Sequence, residues 1–68
     1  MKLTKEKINL IDDQLTNNEN ITDAELILYL AASVGAPICK MSKLVKTERT
    51  YFLQGVVLEP ERVIRKYI

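Results

Sequence analysis

Residues 30–46 read LAASVGAPICKMSKLVK, Leu30 to Lys46, and the fold turns on how this stretch divides. Leu30, Ala31 and Val34 close an apolar run that begins at Leu26 and carries almost no polar residue. A helix that is apolar nearly all round is either central or covered on its second side by a partner. Gly35 follows as a natural stop, because glycine takes the left-handed backbone conformation that ends helices. Pro37 then suits the first position of a new helix, where its missing N–H would have no partner anyway. Beyond it, Ile38, Met41 and Leu44 or Val45 make an apolar stripe, and Lys40, Lys43 and Lys46 make a second stripe at i, i+3 and i+6. The stretch therefore predicts two short helices joined through Gly35.

Upstream, Ile21-Thr22-Asp23-Ala24-Glu25-Leu26 marks where the first of these helices begins. Thr22 at the N-cap and Glu25 three residues on form a capping box, each able to bond the other's backbone N–H, and Ile21 with Leu26 has the spacing of a hydrophobic staple. Thr4 predicts an earlier helix to about residue 16, with Ile8, Ile11 and Leu15 on one face and Leu3 stapled to Ile8. Asn17 to Asn20 reads as a polar loop.

Downstream the pattern is ambiguous. Thr47 can cap a short separate helix ending at Gly55. Alternatively, residues 51–53 and 56–58 pair as a hairpin across Gln54-Gly55. The β-branched and aromatic content favours strands, while Gln-Gly is a weaker hairpin turn than Asn-Gly. The balance favours helix. Pro60 opens a last short helix with Val63, Ile64, Tyr67 and Ile68 on its apolar face. The expected architecture is one all-α domain over residues 1–68, with four to five helices.

Length and composition narrow the function classes. A chain of 68 residues buries only about 60% of its unfolded surface. Cys39 is the only cysteine and there is no histidine, so neither a disulfide framework nor a Cys/His zinc site is available. A lone cysteine suits a reducing, cytoplasmic setting. The N-terminus has no apolar secretory region, and the longest uncharged run, Leu26 to Cys39, is too short to span a bilayer. Charge is asymmetric. Residues 1–30 hold three lysines against Glu6, Asp12, Asp13, Glu19, Asp23 and Glu25, whereas residues 31–68 hold seven basic residues against Glu48, Glu59 and Glu61. The near-neutral total speaks against indiscriminate polyanion binding, and the asymmetry permits one basic face.

A helix-turn-helix needs a small residue where its helices cross, a glycine in the turn, and apolar residues on both inner faces. Ile27 to Lys46 meets these demands in one register. Ala31 is the crossing residue, Leu30 and Val34 are inner residues, Gly35 is the turn, Ala36 follows it, and Met41 and Leu44 are inner on the second helix. Over this third of the chain the sequence resembles the helix-turn-helix superfamily of transcription regulators. The resemblance implies a helix-turn-helix core, with a winged version if 50–58 is a hairpin. It implies that 37–46 is a recognition helix in the major groove of duplex DNA, and that Ile38, Cys39, Lys40, Ser42, Lys43 and Lys46 face outward. Lysines suit phosphate contact, and Ser42 and Lys43 reach toward base edges. Arg49, together with Arg62, Arg65 and Lys66 if the last helix lies alongside, extends the basic face. The implied function is a small homodimeric DNA-binding regulator. The Lys-, Ile- and Asn-rich composition points to a low-GC bacterium, its phages or a mobile element.

The opening Ala36-Pro37-Ile38-Cys39 departs from the superfamily, which usually begins this helix with Ser, Thr, Gln or Arg. Ile38 and Cys39 fit thymine methyls or a protein interface. The alternative function is accordingly a helical adaptor or inhibitor of one host protein, of phage type, without DNA binding. The lysine stripe also reads as a solvated helix face, and Cys39 as a small semi-buried residue with no paired base. No enzyme and no cofactor is expected. Asp12 and Asp13 point apart on their helix, and no nucleophile–base pair or phosphate-binding loop is present.

Overall fold

The computed structural model describes residues 2–68. Four helices follow in order: α1 Lys5–Asn17, α2 Asp23–Val34, α3 Ile38–Leu53 and α4 Pro60–Arg65. No strand occurs among the described residues.

The helix starts follow their capping chemistry. The Thr4 hydroxyl accepts the Lys7 N–H at 3.3 Å, and Leu3 packs against the core that holds Ile8. The Thr22 hydroxyl accepts the Glu25 N–H at 3.2 Å. The Glu25 carboxylate completes the box differently from expectation, taking a bond from the Thr22 hydroxyl at 2.9 Å. Gly35 ends α2 at φ 72, and the following N–H, that of Ala36, reaches back to the Ala31 carbonyl at 3.1 Å. Pro37 is the cap of α3 and not its first helical residue, so the helix begins one position later than expected, at Ile38.

The largest correction lies beyond Lys46. There is no break at Thr47, no separate short helix and no hairpin over 50–58, because α3 continues to Leu53. Its buried face runs unbroken through Met41, Leu44, Val45, Arg49 and Phe52. Phe52 is 1% exposed, and a strand over 51–53 would alternate it with its neighbours instead of holding that face. Gly55 is the stop, with φ 72. Its N–H bonds the Phe52 carbonyl at 3.0 Å, and the Val56 N–H bonds the Tyr51 carbonyl at 3.3 Å. This pair of bonds is the Schellman pattern that ends a helix.

The core joins Ile8, Ile11 and Leu15 of α1 to Leu26, Ile27, Leu30, Ala31 and Val34 of α2, to Met41, Leu44, Val45 and Phe52 of α3, and to Ile64 of α4. The central helix is α3, packed on one side by α2 and on another by α1, while α4 rests chiefly on α1. No helix is long and apolar enough to cross a membrane among the described residues.

Candidate nucleic-acid interface

A helix packed on two sides keeps one face free. On α3 the buried residues centre on the arc through Met41, Leu44, Val45 and Phe52. At 100° per residue, the opposite meridian passes through Lys43 and Thr50, and both are exposed. Lys40 and Lys46 lie about 60° to either side of Lys43, as three-residue steps dictate, and both are exposed. Among the described residues, none of these three lysines makes an ion pair. Glu48, the one carboxylate within α3, is half-buried and accepts a hydrogen bond from the Tyr67 hydroxyl at 2.7 Å. The exposed surface of α3 therefore carries positive charge without an exposed carboxylate.

The other residues singled out from sequence fall in three places. Cys39 is a free thiol, exposed and not semi-buried as a lone helical cysteine suggests, because it falls on the same side of α3 as Lys43, away from α1 and α2. Ile38 is 56% exposed but stands at the edge of α3 nearest α2. There it lines a shallow, mostly apolar recess with Ala24, Ile27 and Leu28, and half-buried Ser42 lines the same recess, which Asp23 and Lys46 border at its rim. Ile38 and Ser42 are thus turned away from the outward meridian, toward α2.

Arg49 is not on the basic face at all. It is 9% exposed, on the inner side of α3. Its guanidinium donates to the Asp23 carboxylate at 2.5 Å, to the Asn18 carbonyl at 2.8 Å and to the Ile21 carbonyl at 2.6 Å, and its Nε is buried with no protein acceptor. Arg49 ties the α1–α2 loop to α3, satisfying backbone carbonyls that this short loop leaves without helical partners. The charges of α4 are also spent locally: Arg62 pairs with Glu59 and Arg65 with Glu61.

Thr50, and Thr47 as a mid-helix surface residue and not a cap, are positions that the sequence did not place on this face. Both are exposed on α3, and continuing the 3.6-residue period past Lys46 would have found them. Tyr67 closes the flank beside Glu48. The hydrogen bond to Glu48, reinforced by burial and by the charge of that carboxylate, raises its phenol above the ordinary value, and Thr47 pulls the other way. Among the described residues no group of His, Cys, Asp and Glu side chains is placed to hold a metal ion.

Comparison with family models, with curated proteins and with solved structures finds no match to this chain.

Proposed function

We propose that this chain is a small duplex-DNA-binding regulator, of bacterial, phage or mobile-element type, that acts as a homodimer and presents α3 to the DNA. The observation that carries the reading is the outward face of α3. Lys40, Lys43 and Lys46 are exposed and unpaired there, on a helix whose single carboxylate is engaged by Tyr67. Most carboxylates of the chain lie instead on α1, the α1–α2 loop and the first turn of α2. Lysines placed this way neutralise phosphates and release condensed counterions, which is the sequence-independent part of DNA affinity. A single helix of this length covers few base pairs, and a two-fold dimer supplies a second copy for a second half-site.

The test is fluorescence anisotropy on a labelled duplex across a salt series. Log affinity should fall against log salt with a slope of about −3 if one protomer's three lysines bind, and about −5 if a dimer's six bind. Absence of measurable affinity at low salt overturns the proposal.

A second reading has its own observation. Leu28 and Ile38 are 58% and 56% exposed, and both border the recess between α2 and α3. Such a patch suits a helical adaptor or inhibitor that binds one host protein. Under that reading the chain shows no salt-sensitive DNA affinity. It co-purifies with one stoichiometric protein through nuclease and high salt, and Leu28→Glu with Ile38→Glu abolishes the association.

A further inference from the structure

We infer that base readout is divided along α3 as follows: Lys43 and Thr50 face base edges on the floor of the major groove, and Lys40 and Lys46 grip the phosphates on its two walls. The inference rests on the DNA-binding reading above and specifies its contact residues. It differs from what the sequence suggests, where Ile38 and Ser42 share the reading surface.

Three observations lead to it. The first is the continuity of α3 from Ile38 to Leu53, which puts two further turns of helix behind the lysine stripe. The second is rotational position. Lys43 and Thr50 are seven residues apart and so lie within about 20° of each other, diametrically across the helix from the buried arc of Met41, Leu44, Val45 and Phe52. These two side chains lie on the face that meets whatever surface α3 lies upon, and the short, exposed Cys39 shares that face about 20° beyond Thr50. The third is the recess: Ile38 and Ser42 line it beside Leu28, with Lys46 at its outer rim. Since Ile38 and Ser42 lie about 100° or more round the helix from Lys43, a helix docked on its outward meridian keeps them off the floor of the groove.

The spacing suits a duplex. Seven residues at 1.5 Å rise separate Lys43 from Thr50 by about 10 Å along the axis, close to three base-pair steps. Lys40 and Lys46, about 60° to either side, flank a helix that fills a groove about 12 Å wide. Lysine donates to guanine O6 and N7. A threonine hydroxyl serves as donor or acceptor to base edges, and its methyl packs on the thymine methyl. Long, flexible lysines at the flanks reach outward to phosphate and carry no sequence information.

The experiment begins by selecting a preferred site for the wild-type chain from a randomised duplex pool. Affinities for that site and for an unrelated duplex of equal length are then measured at several salt concentrations. Lys40→Ala with Lys46→Ala should weaken both duplexes alike and flatten the salt slope by about two per protomer. Thr50→Ala should cut the preference for the selected site roughly fivefold or more, while leaving the unrelated duplex and the salt slope unchanged. Lys43→Ala should cut the preference as Thr50→Ala does and also flatten the salt slope by about one per protomer, because its charge neutralises phosphate as well as reaching a base edge. Ser42→Ala should do neither. Helical circular dichroism should be retained throughout, since alanine is the stronger helix former. Wild-type binding without site preference overturns the division of roles. So does a preference that survives Thr50→Ala and Lys43→Ala, or one lost in Ser42→Ala. If instead the wild-type chain binds neither duplex at low salt, the DNA-binding reading itself fails and takes this inference with it.

Discussion

Replacing Arg49 by alanine should unfold the chain far more easily than replacing any of the three surface lysines. The Arg49 guanidinium makes three charge-assisted hydrogen bonds, to Asp23, Asn18 and Ile21. Bonds to charged groups contribute roughly 1.5–3 kcal/mol each, but a direct sum overstates the loss. The Asp23 side chain is 53% exposed and water replaces its partner at little cost. Asn18 and Ile21 are only half-buried, so their carbonyls are partly rehydrated. The unpartnered Nε is a burden that the substitution removes. Lost packing of the aliphatic stem works in the other direction. The net expectation is a destabilisation of about 2–3 kcal/mol, from interactions whose upper limit for a buried pair is roughly 5 kcal/mol. A domain of this size has about 3–10 kcal/mol in all, and Tm should drop by roughly 8–20 °C. Urea unfolding followed by circular dichroism at 222 nm reads the change. Arg49→Lys, which keeps the charge but not the fork, should recover less than half of it. Lys43→Ala should stay within about 0.5 kcal/mol of wild type. An Arg49→Ala variant equally close to wild type, or an Arg49→Lys variant indistinguishable from it, would refute the account of Arg49 as the tie between loop and helix.

The remaining predictions concern the core, the turn and the C-terminus. Phe52→Ala empties a side chain that is 1% exposed and should cost about 3–5 kcal/mol, enough to leave the chain largely unfolded at 37 °C by calorimetry. Gly35→Ala should cost only about 1–2 kcal/mol, because the added Cβ meets nothing within 4 Å and only the φ of 72° opposes it; a larger loss in denaturant titration would point to an unseen steric clash. Stability should fall as pH rises above 10.0, the ordinary tyrosine value, because Tyr67 is raised above it by Glu48 and burial. The unfolded phenol ionises first, so this contribution is intact below 10.0 and lost once the pH passes the folded value. Tyr67→Phe should lower stability at neutral pH by about 1 kcal/mol and remove that alkaline component, which pH-dependent urea midpoints would detect.

Local chemistry made much of the fold legible. Thr4 and Thr22 accept amide protons at the helix starts, Gly35 stops α2, and Pro60 opens α4, because each acts within a turn of its own position. The apolar spacing in α1 and α2 picks out the residues that are buried. Across the turn, Ala36, Met41 and Leu44 are buried as well. Lys40, Lys43 and Lys46 are exposed, as the stripe suggested. At Thr47 the same local reasoning misled, since threonine is a good cap and Tyr51, Phe52, Val56 and Val57 are good strand formers. Burial of Phe52 in a core drawn from all four helices outweighs a propensity worth about 1 kcal/mol at most.

Charge type and spacing alone determined that this chain carries a lysine row at three-residue steps on a helix, and only the continuation of that helix to Leu53 added Glu48 to it. Which side of that helix is free was decided by tertiary packing, because the direction of a side chain becomes definite only once α1 and α2 occupy the other sides. The same holds for Arg49. By composition it belongs with the surface cations, yet its partners lie 26, 28 and 31 residues earlier in the chain. A contact at that separation exists only after the chain has closed on itself, and it turns a residue that reads as part of a binding face into the tie that holds the α1–α2 loop against α3.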